Sequence, residues 1–511
     1  MGGVRRLLQR SSWDPRLRSS ARIWASFGLL SLVACTSSNE LGEDGKFDRG
    51  PLEACGVDVS ASEDLKAIVA AAPADTIFCL SSGTYRIPDS LVLNDGQGLV
   101  GSGSGVTVIS GAKTVTATKE GPYWVITGQT SLGTSTLPGG ASTQCRPVQG
   151  RDPKGMCVYR DQVFLDDSSL WQVGSLGELS SGEFFWNTGT SKIYLVDDPS
   201  GRKLEVSVAR EGISGGAGVE IRNLTVEKFG NSRTGAIVAS SGWLISGVEA
   251  RLNHGLGVRM GPGTIVRDSF IHHNGELGVA GGQADCAGAK GVLLLENSEL
   301  SYNNIAGYNW GFEAGATKWV NTDGLIIRNN YVHDNYGNGL WTDGFNINTL
   351  YEGNVVEDNY GAGILRELGY SAVIRNNIVT GNGFQHPLPG DVWGAGIFIA
   401  EARDVEVYGN TVEGNAGGIT AVQQNRIGDQ CGIGLNNEVA NLFVHDNTIV
   451  QATGLAAGLR LYNQSNQAYY TSKNNRWTNN DYSLGNAVNG LHFYWVNAKI
   501  KWGAWQAVGQ E

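Results

Sequence analysis

Glu313, Asp343 and Glu367 each lie a few residues after a glycine that opens a short apolar run: GFEAG at 311, GLWTDG at 339 and GILRE at 363. The same opening recurs in GVRM at 257, GVAGG at 278, GIFIA at 396, GITAV at 418 and GLRLY at 458. If these runs are strands, side chains alternate faces, so the residues two and four places after each glycine point outward together. Two places after glycine the outward row reads Arg259, Ala280, Glu313, Trp341, Leu365, Phe398, Thr420, Arg460. Four places after it Asp343 and Glu367 are central, with Gly315 below and Ala400 above. Stacked parallel strands would hold Asp343 and Glu367 about 5 Å apart at the backbone, with Glu313 roughly 8 Å away on the diagonal.

Three carboxylates that close repel one another, so one takes up a proton or the set holds a cation, for which Ca2+ is the candidate. Two such groups flanking a glycosidic bond can serve as general acid and as base or nucleophile. Trp341 and Phe398 offer flat apolar surfaces of the kind sugar rings stack on; the bland alternative is that both pack under a loop. Lys318, Arg366 and Tyr370 are candidates for binding or for removing a proton beside a uronate carboxylate, as in elimination or epimerisation. Equally, Lys318 and Arg366 can form solvated ion pairs with Asp343 and Glu367. A one-residue error in strand phase would turn Arg366 outward and Glu367 inward. His272, His273, His333 and His445 lack the spacing of metal ligands. Three functions follow as expectations: hydrolysis of a polysaccharide, lyase or epimerase action on uronates, or glycan binding without catalysis.

The elements that would position these groups are set by a repeat. Segments such as VEIRNLTV, LIIRNNYVHDN, AVIRNNIVTGN and VEVYGNTVEGN share an anchor at Asn223, Gly247, Asp268, Asn297, Asn329, Gly353, Asn376, Gly409, Asp446 and Asn474. Every anchor is Asn, Asp or Gly, the types that tolerate positive φ. Six residues after the anchor, asparagine recurs at 253, 274, 303, 335, 359, 382, 415 and 480. Anchors lie 21 to 37 residues apart, room for short strands and turns without a crossover helix. The chain therefore coils, each rung stacking on the last, and the longer spacings are loops inserted in single rungs.

With this pattern the sequence resembles the right-handed parallel β-helix proteins of the pectin-lyase-like superfamily, many of them secreted by bacteria. The resemblance implies an all-β solenoid with an N-terminal capping helix, in LKAIVAAAPADTIFCLSSGTYRI, and a C-terminal cap, in FYWVNAKIKWGAWQAVGQE. Ser60 and Glu63 have the spacing of a capping box for that helix. RDQVFLDDSSLWQVGSLGELSSGEFFW with KIYLVDDPSGRKLEVSV is similar to a segment that precedes the repeats in such proteins. It implies little chemistry: the Asp-Asp arrangement of polygalacturonases and the Asp-Pro-His-Asp signature of mannuronan epimerases are absent.

The N-terminus reads as an export signal, with Arg16, Arg18 and Arg22 ahead of the apolar stretch Ile23 to Ala34. Leu32-Val33-Ala34-Cys35 resembles the lipobox of bacterial lipoproteins, which implies lipidation at Cys35 and anchoring at the cell envelope, on the outer membrane. The expected plan is a signal at 1–34, a tether at 35–53, a cap and first rungs with insertions at 54–217, regular rungs at 218–484 and a cap at 485–511. In an exported chain the other six cysteines favour disulfides. Cys55 with Cys79 and Cys145 with Cys157 are the local pairs; Cys286 and Cys431 follow strands five rungs apart, too far for a simple bridge. A net charge of −11 excludes a nucleic-acid partner, since no basic stripe replaces phosphate counterions. The expected partner is a polysaccharide, the membrane is reached through the lipid alone, and the protein is expected to be a monomer.

Overall fold

A computed structural model describes residues 55–135, 144–282, 292–429, 432–485 and 490–511. The signal, the tether, Cys35, Cys286 and Cys431 lie outside the described residues, as do the expectations attached to them.

All ten anchors have positive φ, between 49° and 65°. That conformation turns the chain sharply between strands, and Asn, Asp and Gly reach it at least steric cost. Around each anchor the chain passes from one sheet to the next, as from Ile326–Arg328 into Tyr331–His333. The result is three long sheets of 13, 12 and 13 strands, parallel throughout except where the final strand of the glycine-led sheet runs antiparallel. The coil is a parallel β-helix wound in the right-handed sense that parallel crossovers adopt.

Asparagines stitch the rungs together. Asn253, Asn274, Asn303, Asn335, Asn359, Asn382 and Asn415 form one buried ladder, each side-chain amide donating to the next side-chain oxygen at 2.9–3.0 Å. A second ladder runs through the residues that follow the anchors, Asn330, Asn354, Asn377, Asn410, Asn447 and Asn480, at 2.8–3.0 Å. The anchors supply the turn, and their successors supply the stitches. Asn474 departs from the predicted series: it donates to Asn441 at another corner, while Asn479, also at positive φ, follows Asp446 in the anchor column. Asn480 accordingly belongs to the second ladder, not the first.

Inward residues, one per alternate position, fill the coil with Leu, Ile and Val together with Trp243, Trp319, Tyr351 and Trp477. Each buried aliphatic or aromatic side chain contributes roughly 1.5–3 kcal/mol. At the N-terminal end the helix Leu65–Ala71 turns Leu65 and Val69 onto the core. Its cap is Asp64, which accepts from the Ala67 amide at 3.1 Å; Ser60 and Glu63 bond each other and close the preceding turn instead. At the other end Trp477, Trp495 and Phe493 pack against Trp505, the buried residue of the helix Trp502–Ala507. Between the strands Thr107–Ser110 and Ile213–Gly215 the chain leaves the coil and builds two largely antiparallel sheets around Ile126, Phe184, Trp186 and Val206. The disulfides Cys55–Cys79 and Cys145–Cys157 are both formed.

Candidate functional site

Strand register settles which side chains share the outer face of the glycine-led sheet. Trp341 pairs with Leu365, Leu365 with Phe398 and Phe398 with Thr420, one outward column. Glu367 pairs with Ala400, Ala400 with Val422 and Val422 with Arg460, the next outward column, which Asp343 enters directly after the strand Leu340–Thr342. Asp343 and Glu367 therefore occupy equivalent positions on adjacent rungs. The column between them points inward and holds Thr342, Arg366, Ile399 and Ala421.

Glu313 is not in this array. The strand begins at Gly315, φ 134°, where a Cβ would lie 2.5 Å from the Asn338 carbonyl, so the second glycine of GFEAG opens the strand. That register turns Trp319 into the core and puts Lys318 in the outward slot expected for Glu313. Glu313 sits in the preceding turn, ion-paired with Arg233. The rung neighbour below Asp343 is correspondingly Val320 rather than Gly315. Arg460 likewise falls two places from its predicted column, because Gly458 pairs with Thr420.

Around the two carboxylates the contacts are dense. Lys318 Nζ lies 2.9 Å from Asp343 Oδ2 and 3.9 Å from the centre of the Trp341 ring, and it also donates to the Phe312 carbonyl. Trp341 Nε1 donates to Glu367 Oε2 at 3.2 Å, and Arg426 meets Glu367 Oε1 at 2.8 Å. Burial pushes the Glu367 carboxyl above the usual carboxylate range, the Asp343 charge adds to that rise, and Arg426 opposes it.

Arg426 was not singled out in the sequence. It enters on the long insertion after the strand Gly417–Gln423 and also pairs with the buried Glu401. Glu401 accepts from the Gln424 and Arg426 amides, which fixes the base of that insertion. Only the length of this rung hinted that something crosses the sheet.

Several predicted roles fail on burial. Trp341 and Phe398 are 3% and 4% exposed and form an apolar cluster outside the coil with Leu365, Ala400 and Val422. Trp393, from the insertion that follows Asn382, packs edge-on to Phe398 at 5.5 Å, so neither ring is an open stacking surface. Arg366 points into the coil and is fully buried. Its guanidinium donates to Thr342, Thr349, the Asn346 carbonyl and the Tyr370 carbonyl at 2.6–3.2 Å, and burial lowers its pKa. Tyr370 is 2% exposed and gives its hydroxyl to the Leu435 carbonyl, tying down the Arg426 insertion.

The acids do not form an open calcium cage. Lys318, Arg426 and Arg233 stand against Asp343, Glu367 and Glu313, where a cation would have to sit. Among the described residues, Cys55, Asp58 and Cys79 are grouped closely enough for a metal, and both thiols are consumed in a disulfide.

Among solved structures, XylC in complex with xylose is similar with a TM-score of 0.55 and 13% identity, over 84% of this chain and 83% of that one. The A-module of the Azotobacter vinelandii mannuronan C-5 epimerase AlgE6 has a TM-score of 0.45 and 18% identity, over 83% and 89%. At 13% identity the likeness to XylC is one of fold. No curated protein matches the chain. The model of the right handed beta helix region matches residues 212–412 and 321–498. Since those matches together run from 212 to 498, more than half of the 511 residues, the protein belongs to the right-handed beta-helix family.

Proposed function

We propose that the protein is a glycoside hydrolase acting on a polysaccharide at the outer face of the glycine-led sheet, with Glu367 as general acid and Asp343 as nucleophile. The observation that carries this reading is the adjacent-rung placement of the two carboxyls with the proton affinity of Glu367 raised. Parallel rungs lie about 4.8 Å apart, close to the roughly 5–5.5 Å between the carboxyls of retaining glycosidases. Paired carboxyls with different proton affinities divide acid and nucleophile roles between them.

In the first step Glu367 gives its proton to the glycosidic oxygen, the bond from that oxygen to the anomeric carbon breaks, and an Asp343 oxygen bonds to the carbon. In the second, Glu367 takes a proton from water, whose oxygen displaces Asp343, and the enzyme returns to its starting state. Trp341 Nε1 holds Glu367 in place and Lys318 holds Asp343. These contacts make Trp341 and Lys318 positioning residues. XylC was solved with xylose bound, which accords with a sugar ligand on a coil of this kind.

The uronate lyase or epimerase reading loses its residues here. Arg366 is inside the coil, Tyr370 is buried, and Lys318 already holds Asp343.

Incubating the purified protein with a panel of polysaccharides and aryl glycosides tests the proposal. New reducing ends without unsaturated products are expected. Asp343→Asn and Glu367→Gln should each reduce turnover by roughly 10²–10⁴-fold while the protein stays folded. Unsaturated products, or full activity in both variants, would sink the reading. We further propose that the chain is exported and held at the envelope by a lipid on Cys35, as its lipobox-like segment suggests.

A further inference from the structure

Three rungs beyond Glu367, in its own outward column, stands Arg460. At about 4.8 Å per rung this is roughly 14 Å from Glu367 along the coil. The guanidinium lies between two aromatic rings, 5.7 Å from Tyr462 and 5.6 Å from Tyr494. Trp393 meets Tyr462 edge-on at 5.7 Å. Tyr462 is 39% exposed, and Trp393 and Tyr494 are half-buried, so part of each ring faces solvent. Unlike Trp341 and Phe398, these rings are not sealed beneath an insertion.

Arg460 is itself paired with Asp391, on the same insertion as Trp393. The platform is therefore aromatic and edged with polar groups, with Arg460 matched by Asp391 and the exposed Lys499, cross-strand partner of Tyr494, at its rim. Between it and the catalytic pair Arg426 is matched to Glu367 and Glu401, and on the far side of the pair Lys318 is matched to Asp343. A sugar carboxylate arriving at Arg460 or Arg426 would have to displace a protein carboxylate, on a chain whose net charge is −11. Uncharged sugars meet no such opposition, and their C–H faces suit half-exposed rings held rigidly by neighbours.

Resting on the hydrolase reading above, we infer that Trp393, Tyr462 and Tyr494, with Arg460 between the tyrosines, form a distal subsite for a neutral oligosaccharide. A ring seated on this platform cannot also be the ring cleaved at Asp343 and Glu367, since one sugar spans about one rung. The bound chain must cross the rungs between, so the substrate is an oligomer or polymer rather than a disaccharide.

The test uses the full chain, its Tyr462→Ala and Tyr462→Phe variants, and neutral xylo- and cello-oligosaccharides beside an oligouronate. Binding is read by calorimetry, independently of turnover. The native protein should bind a neutral hexasaccharide more tightly than the disaccharide. Tyr462→Ala should weaken the hexasaccharide roughly tenfold and leave the disaccharide unchanged, while Tyr462→Phe, which keeps the ring, should bind as the native protein does. Equal affinity of native protein and Tyr462→Ala for the hexasaccharide, or preference of the native protein for the oligouronate, overturns the inference. Release of new reducing ends from the neutral oligosaccharides tests the hydrolase reading separately: none from the native protein removes the catalytic assignment, whereas the calorimetry still decides the subsite.

Discussion

Glu276 is fully buried, and neither of its carboxyl oxygens has a hydrogen-bond partner among the described residues; Arg233 Nε stands 3.9 Å away. Burial raises its pKa to about 8, against a usual 4.5, with Arg233 and Lys318 opposing the rise. Between those two pH values the folded chain holds a proton that the unfolded chain has released. Stability therefore falls as pH climbs from about 4.5 to 8 and levels off above. Glu276→Gln should raise the melting temperature at pH 8 and flatten its dependence across that window, a difference on the order of a few kcal/mol. An unchanged profile in thermal scans would mean that the acid is satisfied by water. Arg426 gives a second prediction. It opposes the rise at Glu367, so Arg426→Gln should lift the Glu367 pKa further. The acid must be protonated to act, so the alkaline limb of kcat/KM should move to higher pH. Glu401 loses its cation as well, so the variant should also melt earlier, but only the shifted limb reports on catalysis. The outward placement of Asp343 and Glu367 was legible because alternation has a period of two and both strands keep the same glycine phase. Glu313 was misplaced because GFEAGATKWV offers two glycines that can open a strand. The need to bury Trp319 selects the second.

The rungs owe their alignment to the asparagine ladders. Asn377 accepts from Asn354, donates to Asn410 and also donates to the Tyr351 and Arg375 carbonyls, all from a buried position. Asn377→Ala leaves several of these groups unpaired and should cost about 2–4 kcal/mol in denaturant unfolding. Asn376→Ala, which keeps the ladder and strains one left-handed turn, should cost about 1 kcal/mol. The reverse order would show that turn conformation, not stitching, holds the coil. The anchor positions were readable because few residue types tolerate positive φ. The stitching role of the asparagines that follow the anchors from Asn329 on was not, since an asparagine in a turn can bond its own backbone or a neighbouring rung with the same composition. Ser60 and Glu63 show the same ambiguity at the N-terminal helix: a correct spacing closed a different turn, and Asp64 took the cap.

At the scale of the molecule, no helix among the described residues is long and apolar enough to cross a membrane. The anchor proposed above is the lipid on Cys35. Cys35→Ala should move the protein from the membrane fraction to the soluble one, and retention of the variant on membranes would contradict the anchor. The coil, its two closed ends and its local disulfides were determined by the sequence alone. Each depends on a signal carried within one rung or one terminal segment: period-two alternation, left-handed anchors, cysteines close in the chain. What covers the face of the coil was decided only by the tertiary structure. Arg426 and Trp393 reach the site from segments whose paths no local period records, and Tyr370, on a regular rung, ties one of them down. Those insertions seal Trp341 and Phe398, provide the counter-charge for Glu367 and leave Tyr462 partly open. The repeat can say where a side chain starts, but its exposure and its partners depend on which distant loop folds over it.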